Sequence, residues 1–326
     1  MERHAKAKTP RETKKMARLG QVSGDVKGNL KFLGQCTFTQ GMIGVANGGD
    51  TYYVDSSRSA SGSGKSWDQA YITIAEAVAK SLAMDGVYDT ILVKGGSTTV
   101  ETSDYAESVS VTVAQVGLRI IGVGNGPEGV MWTVGAQDET ILTWAAKDGY
   151  ISGFRFRPNG AATGKAIDLA VTALGSTIEN CIFRSTTETA AYGIYIESAA
   201  DITIRNNVFT SVDTAIYGNA SVKTIYRCRI LNNLFDDKVD SAGINMSARA
   251  CLIKGNDFTS DTTLLIDTYK GSAGEMNIVT GNTLMVTAYE TNCTGAASDN
   301  WLGNFCNDVA SSMVGDNGIT IGIPTS

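Results

Sequence analysis

Apolar positions recur along the middle of the chain at a spacing far longer than that of any helix or strand. The segments Ile151 to Phe156, Ile178 to Phe183, Ile204 to Phe209, Ile230 to Phe235, Ile253 to Phe258 and Val279 to Leu284 each place an aliphatic residue five positions before a large apolar one, at steps of 27, 26, 26, 23 and 26 residues. A second column, Ile167, Ile194, Ile216, Ile244 and Ile266, runs between them at steps of 27, 22, 28 and 22. Each of its members sits in a short alternating run such as GIYIES, AIYGN or GINMS. Period-two alternation predicts strands, and no helix-length periodic window interrupts them. A fixed period of about 20 to 50 residues marks a stacked repeat. Two or three short strands per repeat describe a coil, and coils stacked as parallel strands about 4.8 Å apart pile like residues into ladders. The pattern therefore predicts an all-β fold, a single-stranded parallel β-helix.

Polar positions follow the same period. Asn207, Asn233, Asn256 and Asn282 stand two places before the large apolar residue, with Phe154 and Cys181 in the earlier copies. Asparagine tolerates the left-handed backbone of a sharp bend, and stacked amides can hydrogen-bond from coil to coil. These asparagines are thus expected to be structural. Seven places before the large apolar residue stand Ile202, Cys228 and Cys251, which assigns both cysteines to an inward column. Ahead of the repeat, Thr73 and Glu76 form a capping box. Ile74, Val78 and Leu82 give the helix that follows an apolar face, and Asp85 and Gly86 stop it. This predicts a cap over about residues 66–86, covering the open end of the first coil.

The entry segments TYYVDSS, GKSWDQAYITIAEAVAK, DTILVKGG and GLRIIGVGNG, with the repeat behind them, resemble the right-handed parallel β-helix proteins of the pectin-lyase-like superfamily, phage tailspikes among them. The resemblance covers about residues 51–310. It implies a right-handed coil over 51–326 with a short N-terminal capping α-helix, and flat faces suited to a homotrimer. The superfamily includes polysaccharide lyases, glycoside hydrolases and non-catalytic virion proteins, so the chemistry must be sought in residues.

Charge divides the chain. Residues 1–31 carry nine Lys or Arg against three Asp or Glu, net +6, and the remainder carries 18 against 30, net −12, in agreement with the total of −6. Residues 1–50 are read as a basic docking arm for an acidic protein surface, using Arg3, Lys6, Lys8, Arg11, Lys14, Lys15 and Arg18. No aromatic residue occurs in the first 31 positions to stack on bases, so nucleic acid is not the expected partner. The arm has no apolar run behind it, so no secretory signal peptide is expected. No apolar stretch is long enough for a membrane-crossing helix, and no membrane association is expected. Six cysteines without a CxxC pair make a zinc site improbable, and no metal or other cofactor is expected.

The outward columns were tested for catalytic groups. The only histidine is His4, which closes histidine-dependent mechanisms. Glu179 and Arg205 on adjacent coils read as a surface ion pair of little worth. The column beside the second ladder is Asp168, Tyr195, Tyr217, Asn245 and Asp267. Its carboxylates stand four coils apart, about 19 Å, too far for paired acid and base work. Tyr195, Tyr217 and Asn245 are candidate contacts for a neighbouring subunit or a glycan, while tyrosine is also simply a good strand residue. Asp236, Asp237 and Asp240 read as a solvated acidic loop, and the glycines of GVGNG at 122–126 carry no phosphate-binding pattern.

The expected function is a non-catalytic phage virion protein. It would be a capsid decoration spike, placed on the capsid surface rather than the tail, anchored by its arm on an acidic virion shell protein and made in the host cytoplasm. The alternatives are a tailspike-like polysaccharide depolymerase, with Asp168, Glu197, Asp213 and Asp267 as candidates, or a glycan-binding adhesin.

Overall fold

A computed structural model describes residues 49–306, apart from 84–87, 96–103, 125–128, 160–162, 186–190, 220–224, 237, 260–263, 270–275, 286–291 and 296. The docking-arm residues Arg3, Lys6, Lys8, Arg11, Lys14, Lys15 and Arg18 lie outside the described residues, as do Cys36 and Asp237.

The chain winds repeatedly through three parallel sheets. One coil runs from Thr177–Glu179 in sheet A to Ile182–Arg184 in sheet B and Ala191–Ile196 in sheet C, then returns to sheet A at Thr203–Arg205. Among the described residues, sheet A has ten strands, sheet B nine and sheet C eight, each strand pairing with its counterpart one coil away. Both apolar columns of the sequence are in register: Ile178 pairs with Ile204, Phe183 with Phe209 and Ile194 with Ile216. The large residues of sheet B stack. Phe156, Phe183, Phe209, Phe235 and Phe258 follow one another at centroid distances of 5.3, 4.7, 5.1 and 4.3 Å, with rings within 13° of parallel. Burying each such side chain contributes about 1.5–3 kcal/mol.

The sharp corner between sheets A and B divides two duties between adjacent columns. The left-handed residue is Gly153, Asn180, Asn206, Asn232, Gly255, Gly281 or Gly303, one place ahead of the expected asparagines. At Gly153 a Cβ would stand 2.4 Å from the Gly122 carbonyl oxygen, so glycine is required there by space as well as by φ. The following residues, Asn207, Asn233, Asn256, Asn282 and Asn304, are buried and form the amide ladder. From Asn233 onward each carboxamide oxygen accepts the backbone N–H and the Nδ2–H of the asparagine one coil earlier, as in Asn207 to Asn233 at 3.0 Å for both, while Asn207 Oδ1 accepts the Cys181 N–H. Each Nδ2 also reaches a sheet A carbonyl, as Asn233 does to Ile204 at 3.0 Å. The corner between sheets C and A carries a mixed ladder instead: Cys228 N–H points at Cys251 Sγ (3.3 Å), Cys251 N–H at Asn277 Oδ1 (3.0 Å) and Asn277 N–H at Asp299 Oδ1 (3.0 Å).

The capping helix spans Ile74–Ala83. Its box is formed, with Glu76 N–H donating to Thr73 Oγ1 (3.2 Å) and Thr73 N–H to Glu76 Oε2 (3.3 Å). Its buried stripe is Ile74, Ala77, Val78 and Ser81, whereas Leu82 is 42% exposed, contrary to expectation. Positions i, i+3, i+4 and i+7 set the face that meets the core, and Leu82 falls outside that arc. The lid is fastened from the first coil, where Glu107 accepts the N–H groups of Ile74 (2.7 Å) and Ala75 (3.0 Å).

Candidate functional site

On sheet C, inward Ile167, Ile194, Ile216, Ile244 and Ile266 alternate with an outward column whose register runs Thr143, Asp168, Tyr195, Tyr217, Asn245, Asp267 and Thr294. The order expected from the sequence is the order on the surface. Parallel pairing holds Tyr195 and Tyr217 face to face, with centroids 5.2 Å apart and planes 18° from parallel. Tyr192, in register with Lys165 and Thr214, adds a third ring at 5.5 Å from Tyr195 and 4.8 Å from Tyr217. The period argument did not single out Tyr192, because its partners on neighbouring coils are not aromatic. Gly193 lets the strand lie close to the core: a Cβ there would stand 2.6 Å from the Ala215 carbonyl oxygen and 3.0 Å from the Phe209 ring.

Polar groups frame this tyrosine platform. Lys165 Nζ lies 3.6 Å from the Tyr195 ring centroid and 2.7 Å from Asp168 Oδ2. Asp168 Oδ1 at one end of the tyrosine pair and Asn245 Oδ1 at the other are sealed from solvent and have no hydrogen-bond partner among the described residues. Asp213 accepts the Ser241 hydroxyl at 2.5 Å beside Tyr192. Burial pushes the Tyr192 and Tyr195 phenols up, and the neighbouring Tyr217 adds to the effect, so both stay neutral donors through the physiological range. A file of half-buried phenol rings with polar groups beside it suits a polyhydroxylated ligand lying along the coil axis.

A second cluster lies on the outer face of sheet A. Glu179, expected as half of a solvated ion pair, is only 8% exposed. Its Oε1 accepts the Tyr150 hydroxyl and its Oε2 the Arg205 Nε–H, while the Arg119 guanidinium lies 4.8 Å from the Tyr150 ring centroid. The sequence reading missed Tyr150 because it searched each column, and this contact runs diagonally from one column to the next. Asp240, placed in an acidic loop from sequence, belongs to the strand Val239–Asn245. The described cysteines are free thiols, and Cys181, sealed from solvent, is pushed up to about 12 by burial. Among the described residues no group of three or more His, Cys, Asp or Glu is placed to hold a metal ion.

The family model described as right handed beta helix region matches residues 141–306 of this chain. The solved pectin methylesterase from carrot aligns with 80% of the chain and 84% of its own length, at 14% identity and a TM-score of 0.50. Escherichia coli ybhc aligns with 96% of the chain and 89% of its own length, at 10% identity and a TM-score of 0.50. The rice weevil pectin methyl esterase covers 74% of the chain and 87% of its own length, at 12% identity and a TM-score of 0.44. At such identities the likeness is one of fold. No curated protein matches the chain at a significant level.

The expectation that the chain is not an enzyme is overturned: the fold is shared with the pectin methylesterase from carrot, an enzyme. The exclusion had rested on a missing carboxylate pair within single columns. The Tyr150, Glu179 and Arg205 cluster shows how an open sheet assembles acid–base groups across columns as well.

Proposed function

The chain belongs to the right-handed β-helix family, and from that premise we propose that it recognises a polysaccharide along the outer face of sheet C. The observation that carries this reading is the three-tyrosine platform between Asp168 and Asn245 on the outward side of the sheet. A sugar ring offers an apolar face to the edges of the half-buried phenol rings and hydroxyls to their neutral O–H groups, and the rigid coil holds the rings without reordering. The test is isothermal titration of the whole protein against a panel of surface polysaccharides. Binding by one of them that Tyr195→Ala and Tyr217→Ala each reduce at least tenfold, with a stability loss of about 1 kcal/mol or less, is the expected result. Binding that both variants retain in full sinks the reading.

A second reading concerns where the coil is displayed. The division of charge, net +6 in residues 1–31 against net −12 beyond, favours a basic arm seated on an acidic virion shell protein, with the coil as a capsid decoration spike, in homotrimers. Deleting residues 1–48 is expected to detach the protein from its particle without lowering the melting temperature of the body, and raised salt to weaken the attachment. Attachment that withstands both treatments argues against the arm.

A further inference from the structure

The outer face of sheet A carries a recess of about 420 Å³ bounded by Asp201, Thr203, Arg227, Arg229, Ala250 and Leu252, with buried Cys228 beneath it. Arg227 grips Asp201 with two hydrogen bonds, Nε to Oδ1 at 2.7 Å and Nη2 to Oδ2 at 2.6 Å. That pairing uses the only carboxylate on the recess wall. Arg229 stands one coil from Thr203 and one from Leu252 in the same outward column, so neither neighbour in register offers it a negative charge. In the adjoining column Glu179 is engaged by Arg205, and Lys254 adds another cation. Two guanidiniums facing one carboxylate leave the recess net positive on a body whose sequence is net −12. Arg227 takes the left-handed backbone, at φ 52°, that Asp148, Gly175, Asp201, Ala250 and Met276 also take at this corner of their coils.

We infer that this recess binds a phosphate or sulfate monoester of a small organic body. Arg229, Arg227 and Thr203 line the recess with hydrogen-bond donors, two of them guanidiniums, which suits a tetrahedral oxyanion. The Leu252 and Ala250 side of the recess is apolar and accepts the carbon part of the ligand. The site is on a different sheet from the tyrosine platform and does not depend on it.

The experiment is titration of the full chain at low salt with glucose 6-phosphate, glucose 6-sulfate and inorganic phosphate. At least one ester is expected to bind tenfold or more tightly than inorganic phosphate. Arg229→Gln is expected to weaken that binding tenfold or more, Arg229→Lys to restore part of it, and Tyr195→Ala to leave it unchanged. Arg229 is exposed, so both variants fold, and their melting temperatures verify this. Equal affinity for inorganic phosphate overturns the role given to Leu252 and Ala250. Failure of every probe to bind, or binding unaffected by Arg229→Gln, overturns the site.

Discussion

Inward and outward positions of the same strands follow different rules. Inside, each residue packs on its own copies one coil away, so sameness is rewarded: five phenylalanines stack in one file and five asparagines pass hydrogen bonds along another. Outside, the strands keep the same register, yet no residue type runs through a whole column, as in Asp168, Tyr195, Tyr217, Asn245 and Asp267 on sheet C or Thr177, Thr203, Arg229, Leu252 and Ile278 on sheet A. A uniform interior fixes the spacing of the coils, and that spacing holds unlike outward groups in a defined array. The comparison teaches where to look on this scaffold: for stability in the inward columns, and for recognition in the outward ones.

Mutations at the two kinds of position separate stability from binding. Phe209→Ala removes the middle of the aromatic file and is expected to cost about 3–5 kcal/mol, read from the denaturant midpoint. A cost under about 1 kcal/mol would mean that the file is not a continuous core. Asn233→Ala leaves the Asn207 Nδ2 and backbone N–H without their acceptor and the Ile204 carbonyl without its donor, a loss of about 3 kcal/mol in the same measurement. A cost no larger than that of an exposed asparagine would disprove the ladder.

The lid is intermediate, and its effect depends on pH. Burial pushes the Glu107 carboxyl up, against the two helix N–H groups that favour its charged form. A carboxyl whose folded pKa is raised contributes its stability in full below the unfolded pKa and loses it as pH rises through the folded value. The wild-type protein is therefore expected to lose part of its advantage over Glu107→Gln as pH climbs from below the ordinary carboxylate range to neutrality. Unfolding curves of the two proteins across that range check it, and parallel profiles would show that Glu107 does not titrate differently on folding. The smallest effect on stability is expected outside: Tyr217→Ala loses the ring stack but no core packing, about 1 kcal/mol or less by thermal melting, while removing polysaccharide binding. A larger loss would move Tyr217 into the structural class and blunt the comparison.

Much of this was legible without coordinates. The step between Ile178, Ile204 and Ile230 gave the coil and its register, because a repeated inward position has one physical use. The capping box at Thr73 and Glu76 gave the lid, since its hydrogen bonds are local. The column around Tyr195 could be listed in order for the same reason as the core: each member sits a fixed offset from a ladder isoleucine. What escaped were contacts that cross columns. Tyr150 reaching Glu179, Tyr192 leaning on Tyr195 and Tyr217, and the recess between Arg227 and Arg229 depend on side-chain direction and on how far one corner turns, neither of which has a period. The left-handed residue of the corner was placed one position late because asparagine serves at both adjacent sites, and only backbone angles separate the two uses.

By itself the sequence determined the coil, its parallel register, its inward files and the lid, since these follow from repetition and from hydrogen bonds between near neighbours in the chain. Only the tertiary structure decided which outward groups meet. Residues roughly 25 positions apart become neighbours across a single strand spacing, and whether a carboxylate there is solvated or buried depends on the side chains that the next coil brings over it.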